Sequence, residues 1–306
     1  MCCLFGFYNY SGEPIKNISV LTNSLARQAI ARGTDAAGIA YNHNGKLIIH
    51  KESRSAALID FKHPDNIVSM LGHTRHSTQG SYKRNHNNHP FSGRCQNRSF
   101  ALAHNGVLIN DRELQKKLKL PKSKIETDSY VAVQLIEKKK VLSAESIKYM
   151  AEQVEGSFSF SILDSQDTLW LIKGDSPLSI IHLPDYKLYV YASTDEILYK
   201  SLVDTKLFDA VKKGRFEELF IKDGEIISIS PNGQINRSEF EYDIYGYSGR
   251  FSWWEYGITS KKERTAYIDD LKSVAVYHGY TADDIDNLLS NGFTVEEIEE
   301  YIYCYE

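Results

Sequence analysis

Cysteine is scarce in this sequence of 306 residues, which contains four: Cys2, Cys3, Cys95 and Cys304. Adjacent cysteines rarely bond to each other, and the other two lie far apart in the chain. The scarcity excludes a disulfide framework of the kind found in small secreted domains. We therefore expect a cytoplasmic protein in a reducing compartment.

Long apolar runs and a strong charge of one sign are also missing. No apolar run approaches the roughly 20 residues that a membrane-spanning helix requires. The first residues, MCCLFGFYNYSG, include neither a basic segment nor a long apolar segment, so we expect no secretory signal. The net charge of −4 at pH 7 is small and has the wrong sign for an obvious nucleic-acid binder. We expect neither a membrane nor a nucleic acid as a partner.

Composition and charge change towards the end of the chain. Overall, hydrophobic residues make up 42% of the sequence and charged residues 25%, which is typical of globular proteins. Residues 251–306, however, contain four Lys/Arg and twelve Asp/Glu, a net charge of −8, whereas the residues before them have a net charge of +4. This acidic segment is rich in tyrosine and lacks proline. The shift predicts a main domain at residues 1–240 and a tail at residues 241–306.

The periodicity of the apolar residues predicts the order of helices and strands. A first strand is expected at residues 3–8 and a group of strands at residues 157–240, with helices between these regions. Strands followed by helices and then by strands favour a layered α+β domain over a strictly alternating parallel fold. The predicted helices, including those of a small C-terminal helical appendage, cover residues 17–31, 111–118, 128–139, 144–154, 196–203, 263–277, 282–289 and 295–303.

Short local signals mark the predicted turns and helix starts. Asn44-Gly45 and Asn232-Gly233 are typical of two-residue hairpin turns. Thr127 and Ser143 each precede a predicted helix and are expected to be its N-cap. These positions can be compared directly with a structure.

The thiol of Cys2 has a base on its own residue once Met1 is removed, and removal of Met1 is expected where the next residue is small. An α-amine has a pKa of about 7.7–8.0, far below that of lysine, so much of it is neutral at physiological pH. The amine can then act as the general base for the Cys2 thiol without a separate histidine. A lone cysteine at this position is more often an ordinary residue, so the interpretation depends on its companions.

Two further segments contain groups that suit acyl transfer to or from an amino acid. Arg75, within GHTRHSTQG, offers a planar fork for a carboxylate, and Thr78 adds a hydroxyl nearby. At the end of an apolar strand, the side-chain amide of Asn105 and the backbone N–H of Gly106 are expected to form an oxyanion hole. Each signal is weak alone, because Asn-Gly is usually a turn.

A free amino acid with an acyl side chain fits these groups together. Asp128, at a predicted helix start, can accept a hydrogen bond from an ammonium group while Arg75 binds the carboxylate. Cys2 would attack the side-chain carbonyl. Glutamine is the amino acid whose side chain is such an acyl group, with ammonia as the leaving group, so we expect L-glutamine as the substrate.

A series of short motifs extends this pattern along residues 2–240. Their order and spacing resemble those of the glutaminase domain of class II glutamine amidotransferases, which are N-terminal-nucleophile hydrolases. The resemblance is strongest to the glutaminase half of glucosamine-6-phosphate synthase. The motifs are MCCLFG (1–6), RGTDAAG (32–38), GHTRHSTQG (72–80), NNHPF (87–91), HNG (104–106), ETDSY (126–130), GSFSFSILD (156–164), GDSPL (174–178) and ASTDE (192–196).

The resemblance implies a fold and a set of catalytic residues. The fold is a four-layer αββα sandwich, in which two antiparallel sheets pack between helical layers. Cys2 is the implied nucleophile and forms a thioester, while Asn105 and Gly106 stabilise the oxyanion. Arg32 and His104 are implied to be structural supports of the site. No metal and no cofactor are implied.

The resemblance also implies how the substrate is held. Arg75 and Thr78 would bind its α-carboxylate end and Asp128 its α-amine. His76 lies at the position of an aromatic residue, often tryptophan, that closes the pocket in many members, and is expected to contact the substrate. Two other departures are Cys3, in place of a glycine, and Gln79, in place of a histidine.

Three other interpretations remain open. The departures allow a catalytically weak or inactive domain whose role is binding. An amide hydrolase with another substrate is also conceivable, although Arg75 and Asp128 together specify the two α-ends of a free amino acid. A metal site is suggested by a cluster of histidines, but three of them lie in the motifs as structural residues, so we expect none. The cluster is His73, His76, His86, His89 and His104.

The acceptor of the ammonia is not visible in the sequence. About 65 residues follow the glutaminase region, too few for a synthetase or a sugar isomerase. We expect a separate acceptor protein, docked through residues 241–306. The alternatives are a simple glutaminase and a tail that caps the main domain through its tyrosines, with Trp253 and Trp254 as anchors. A homo-oligomer is compatible with the sequence.

Overall fold

The chain divides into two compact units, Met1–Ile244 and Tyr245–Glu306, and each is considered by itself. Among the helices of the described residues, none is long and apolar enough to cross a membrane. The computed structural model describes residues 2–203, 205–242, 268, 271, 272, 275, 276, 279–290, 298 and 302.

Antiparallel strands and short helices build the first unit. Its strands are β1 (Cys3–Asn9), β2 (Ala36–His43), β3 (Lys46–Glu52), β4 (Ser69–Arg75), β5 (Phe91–Arg94), β6 (Ser99–Leu108), β7 (Gly156–Asp164), β8 (Leu169–Lys173), β9 (Ser179–Leu183), β10 (Leu188–Ala192), β11 (Glu217–Glu218), β12 (Glu225–Ile229) and β13 (Ile235–Glu239). Its helices are α1 (Ile18–Gln28), α2 (Asp111–Lys117), α3 (Tyr130–Lys138), α4 (Ala144–Gln153), α5 (Asp195–Leu202) and α6 (Phe208–Lys212).

The strands form two antiparallel sheets. The first has seven strands in the order β11-β9-β10-β1-β4-β2-β3, and the second has six in the order β13-β12-β8-β7-β6-β5. The first strand of the chain therefore lies in the middle of its sheet, with β10 on one side and β4 on the other. In the second sheet, β6 pairs with β5 and β7.

Side-chain alternation along β1 shows how the layers form, because successive residues of a strand point to opposite faces. Cys3, Phe5 and Phe7 are fully buried against helices α1, α5 and α6. Leu4 and Tyr8, from the opposite face of β1, are fully buried in a second core that both sheets share. The first sheet therefore has helices on one face and the second sheet on the other.

The strand β6 has the same alternation in the second sheet. Phe100 and Leu102 pack against helices α2, α3 and α4, whereas Ala101 and Ala103 face the core between the sheets. The succession is helices, sheet, sheet, helices. The predicted four-layer α+β sandwich is confirmed.

Several local predictions are also confirmed. The bounds of β1, α2, α4 and α5 lie within one residue of the prediction, whereas α3 begins two residues late. Asn44 and Gly45 join β2 to β3 with φ angles of 50° and 70°, as a hairpin turn with two left-handed residues requires. Ser143 caps α4: its hydroxyl accepts the backbone N–H of Ser146 at 3.3 Å. In return, the Ser146 hydroxyl accepts the backbone N–H of Ser143 at 2.9 Å.

The predicted start of α3 is wrong. The helix begins at Tyr130 instead of residue 128, and Thr127 is not its N-cap. The Thr127 hydroxyl instead donates to the carbonyl oxygen of Asn87 at 3.0 Å, a tertiary partner that no local pattern indicates. The sequence also did not predict the short helix α6.

The second unit contains helix α7 (Ala282–Ser290), where the apolar pattern predicts one at 282–289. Ile285 of this helix is fully buried with four other apolar residues of the unit: Leu271, Ala275, Ile298 and Ile302. The rest of the predicted helices at 263–277 and 295–303, together with Trp253 and Trp254, lies outside the described residues.

Phe100 tests the core of the second sheet. Replacing this fully buried ring by alanine is expected to lower the free energy of unfolding by about 3–5 kcal/mol, because it removes apolar burial and leaves a cavity. Phe220 is 75% exposed and provides the matched control, since Phe220→Ala should change stability by no more than about 0.5 kcal/mol. Urea unfolding followed by circular dichroism measures both, and equal losses would contradict the assignment of this core.

Candidate active site

Cys2 lies immediately before β1, at the edge where β1 meets the end of β4. Cys3 pairs with Thr74, so Cys2 lies beside Arg75 and the loop that follows β4. The Cys2 Sγ accepts the backbone N–H of His76 at 3.5 Å and donates to the His76 carbonyl oxygen at 3.4 Å. The Arg32 Nε donates to the Cys2 carbonyl oxygen at 3.1 Å. These contacts hold a partly exposed thiol in one position.

The environment of the Cys2 thiol favours its protonated form. Burial raises the pKa of the thiol, and the backbone N–H of His76 opposes this increase to a smaller extent. Among the charged side chains, Arg75 lowers the pKa of the thiol and Asp128 raises it. The thiol therefore needs a base to become a nucleophile, and one cation and one anion are both close enough to act on it.

Arg75 is the largest fully buried side chain among the residues that the structure describes. Its NH1 donates to the Asn88 Oδ1 at 2.7 Å, and its NH2 donates to the carbonyl oxygens of Gln79 and Gly80 at 2.7 and 2.8 Å. These bonds use three of the five N–H groups of a guanidinium. Arg75 thus organises the loop after β4, a role that the sequence did not predict for it.

His76 and Thr78 lie in that same loop, and both are exposed. The backbone of the loop is fixed at several points, including the Ser77 N–H, which donates to the Asp35 Oδ2 at 2.8 Å. Of the predicted substrate contacts, His76 therefore lies next to Cys2 in space, and Thr78 is exposed two residues further along the same loop.

Asn105 and Gly106 lie near the end of β6. Asn105 is buried on the same strand face as Ala101 and Ala103, towards the space between the sheets. Within the part of the chain that the structure describes, the Asn105 Nδ2 has no hydrogen-bond partner. A buried amide without a partner is uncommon and costly, so this group is suited to an acceptor that arrives with a ligand.

Gly106 has a backbone conformation that other residues rarely adopt. Its φ angle is 133°, and a Cβ at this position would lie 2.0 Å from the Ser157 carbonyl oxygen. Any side chain would displace β6 from β7. Glycine is therefore required for the geometry of this strand end.

Asp128 connects the segment before α3 to the strand β6. Its Oδ2 accepts the backbone N–H of Leu108 at 2.7 Å, two residues beyond Gly106. Its Oδ1 accepts the Ser129 hydroxyl at 3.3 Å. The carboxylate is 3% exposed and is fixed by neutral donors.

Two buried histidines link the strands of the site. The His73 Nε2 donates to the His104 carbonyl oxygen at 2.9 Å, which connects β4 of the first sheet to β6 of the second. Burial lowers the pKa of His73 to about 3, so its ring is neutral. The His104 Nδ1 lies 2.8 Å from the Ser129 hydroxyl, next to Asp128. Among the residues described, no group of three or more His, Cys, Asp or Glu could hold a metal ion.

The sequence missed the residues that join these parts. The motifs NNHPF and ETDSY contain Asn87, Asn88 and Glu126, but the motifs predict no role for these three residues. In the structure they make hydrogen bonds between the loop after β4 and the segment before α3. Two successive asparagines in a loop are a weak signal of such a network, because asparagine is common in turns.

Comparison with known proteins shows which proteins the chain resembles. A family model described as a glutamine amidotransferase domain matches residues 73–200. The glutamine–fructose-6-phosphate aminotransferase (isomerizing) of Staphylococcus aureus is 29% identical over 269 residues, which cover 81% of this chain and 42% of that enzyme. The amidophosphoribosyltransferase of Methanocaldococcus jannaschii is 29% identical over 238 residues, or 74% of this chain and 48% of that enzyme.

A solved structure agrees with these relatives. The glutamine phosphoribosylpyrophosphate amidotransferase of B. subtilis, in complex with ADP and GMP, matches with a TM-score of 0.61 and 25% identity over 79% of this chain and 50% of that one. The chain thus spans about half the length of the proteins it matches or less. It resembles the class II glutamine amidotransferases and has their N-terminal-nucleophile fold.

Proposed function

We propose that this chain is the glutaminase component of an amidotransferase. Removal of Met1 frees the α-amine of Cys2, and the Cys2 thiol attacks the side-chain carbonyl of L-glutamine. The carbon–nitrogen bond of the amide breaks, ammonia leaves, and a thioester remains. Water then hydrolyses the thioester to glutamate and restores the thiol.

The main support is the convergence of opposite charges on one thiol. Arg75 and Asp128 both act electrostatically on Cys2. A free α-amino acid needs one cation for its carboxylate and one anion for its ammonium, at a fixed distance from the nucleophile. Arg75 retains two N–H groups beyond those used by its own loop, and these are available for a carboxylate.

The chemistry requires a base and an oxyanion hole. Since burial raises the pKa of the Cys2 thiol, the proton has to be transferred, and the free α-amine is the proposed acceptor. The unpartnered Nδ2 of Asn105 and the N–H of Gly106 are the proposed donors to the oxyanion. We propose that Thr78 and His76 contact the carboxylate end of glutamine, and that Arg32 and His104 support the site.

The fate of the ammonia is a further part of the proposal. Both curated relatives extend well beyond the region they share with this chain, and the name of the first pairs an amino-group donor, glutamine, with an acceptor, fructose 6-phosphate. We propose that ammonia passes to a separate acceptor protein. The acidic segment 251–306, with its net charge of −8, supports a docking role towards a basic surface.

Cys2→Ala tests the nucleophile. The variant should lose glutamine hydrolysis while keeping its fold, because it lacks the proposed nucleophile. Cys3→Ala is the matched control: Cys3 is fully buried and faces the helices, so this variant should remain active. Ammonia release and thermal unfolding are measured for both. A glutamine-like electrophile should label Cys2 only, and mass spectrometry that finds Met1 on active protein would overturn the proposal.

Asn105→Ala tests the oxyanion hole. We expect kcat to fall by roughly 10²–10³, the usual effect of removing one oxyanion donor, with a smaller change in KM. Asn236→Ala, at an exposed position of β13, is the control and should behave as the wild type. Steady-state kinetics with glutamine distinguish the two, and an unchanged kcat in Asn105→Ala would rule out this role.

The pH dependence tests the base. The protonated amine cannot accept a proton, so kcat/KM should be low at acidic pH, rise with a midpoint at about pH 7.7–8.0 as the amine deprotonates, and level off at about pH 9. If preformed thiolate were the active species, the rate would continue to rise above pH 9.0, the ordinary thiol pKa, since burial raises the pKa of Cys2 further. Circular dichroism at each pH shows whether the protein stays folded.

A further inference from the structure

Asn87 bridges two segments of the chain and is fully buried. Its Nδ2 donates to the Ser81 carbonyl oxygen at 3.1 Å and to the Glu126 Oε2 at 2.8 Å. Its Oδ1 accepts the Glu126 backbone N–H at 2.9 Å, and its carbonyl oxygen accepts the Thr127 hydroxyl at 3.0 Å. The Asn87 side chain therefore forms hydrogen bonds both to Ser81, in the loop after β4, and to Glu126, in the segment before α3.

On one side, this loop determines the orientation of Arg75. The guanidinium donates to the Gln79 and Gly80 carbonyl oxygens and to the Asn88 side chain, the residue next to Asn87. A change in the position of Asn87 would therefore be transmitted to the partners that hold Arg75.

On the other side, Glu126 and Thr127 directly precede Asp128. The Gln79 Nε2 adds a second connection by donating to the Glu126 carbonyl oxygen at 2.9 Å. Asp128 in turn accepts the Leu108 N–H of β6. The network thus runs from the cation of the site to its anion through neutral amide groups.

We infer that Asn87 is a positioning residue that fixes the distance between Arg75 and Asp128, and thereby makes the site select a substrate with an ammonium and a carboxylate on the same carbon. This inference rests on the proposed function. Asparagine suits the position because one amide presents a donor and an acceptor to the same residue, Glu126. An aspartate of the same shape would present an oxygen to the Glu126 carboxylate.

The test begins with Asn87→Asp. The substitution replaces the N–H···O contact to Glu126 with two facing oxygens, so KM for glutamine should rise roughly 10- to 100-fold while kcat changes less. The preference for glutamine should fall as well. Glutaramate has the same amide and carboxylate without the ammonium, and the ratio of kcat/KM for the two substrates should decrease in the variant.

An exchange of the two groups provides the rescue. In the double variant Asn87→Asp, Glu126→Gln, the introduced amide can donate to the introduced carboxylate, which restores the contact with its direction reversed. KM and the substrate preference should return most of the way to those of Glu126→Gln alone. A failure to recover in a folded double variant would overturn the inference.

Asn23 is the matched control for loss of stability. It is also buried, its Nδ2 donates to the carbonyl oxygens of Ser19 and Phe61, and its Oδ1 accepts the Phe61 N–H at 2.8 Å. Asn23→Asp should therefore lower the melting temperature without changing KM or substrate preference.

The outcomes separate the two proposals. If the wild type is active and Asn87→Asp has the same KM and the same substrate preference as the wild type, the role of Asn87 is overturned and the proposed function stays intact. A wild type that neither hydrolyses nor binds glutamine in calorimetry overturns both. A shift in KM for Asn87→Asp, absent in Asn23→Asp and reversed by the exchange, supports the inference.

Discussion

The antiparallel pairing of β1 with β4 is the constraint on which the site depends. It brings Cys2 beside Arg75, although 73 positions separate them in the chain, because Cys3 lies opposite Thr74. Apolar residues on both faces of β1 are fully buried, so this strand cannot shift by one residue without moving large side chains from one core to the other. The position of the thiol is therefore determined by the packing of the whole first sheet.

The second sheet contributes to the site through a polar contact between the layers. The neutral ring of His73 donates to the His104 carbonyl oxygen and fixes the end of β6, with Asn105 and Gly106, relative to β4. Buried polar groups of this kind are tolerated when they are hydrogen-bonded. Here the bond joins the two sheets at the site, and a second bond, from the Asn42 Nδ2 of β2 to the Asp164 carbonyl oxygen of β7 at 2.7 Å, also joins them. These directional bonds add a defined register to the apolar packing between the sheets.

The sequence predicted those parts that have a regular period and missed those that do not. The short apolar strand at residues 3–8 and the Asn44-Gly45 turn are local patterns, and the structure agrees with them. The helix start at Thr127 was predicted wrongly because its hydroxyl bonds to Asn87 instead of capping α3. Hydrogen bonds between distant loops leave no periodic trace in a sequence. The resemblance to a family predicts the candidate site residues. The distances between these residues come only from the structure.

The buried charges of the site have a consequence for binding. Arg75 and Asp128 have opposite signs and are both close to Cys2, yet among the described residues their hydrogen bonds go to neutral partners: carbonyl oxygens and an asparagine for Arg75, a backbone N–H and a hydroxyl for Asp128. A direct ion pair between them would satisfy each charge with the other. Because neutral groups hold them apart, each charge remains available to a ligand of the opposite sign. In the proposed function a zwitterion satisfies both at once, and the free energy gained on binding an amino acid then depends on the asparagines that keep the two charges separated.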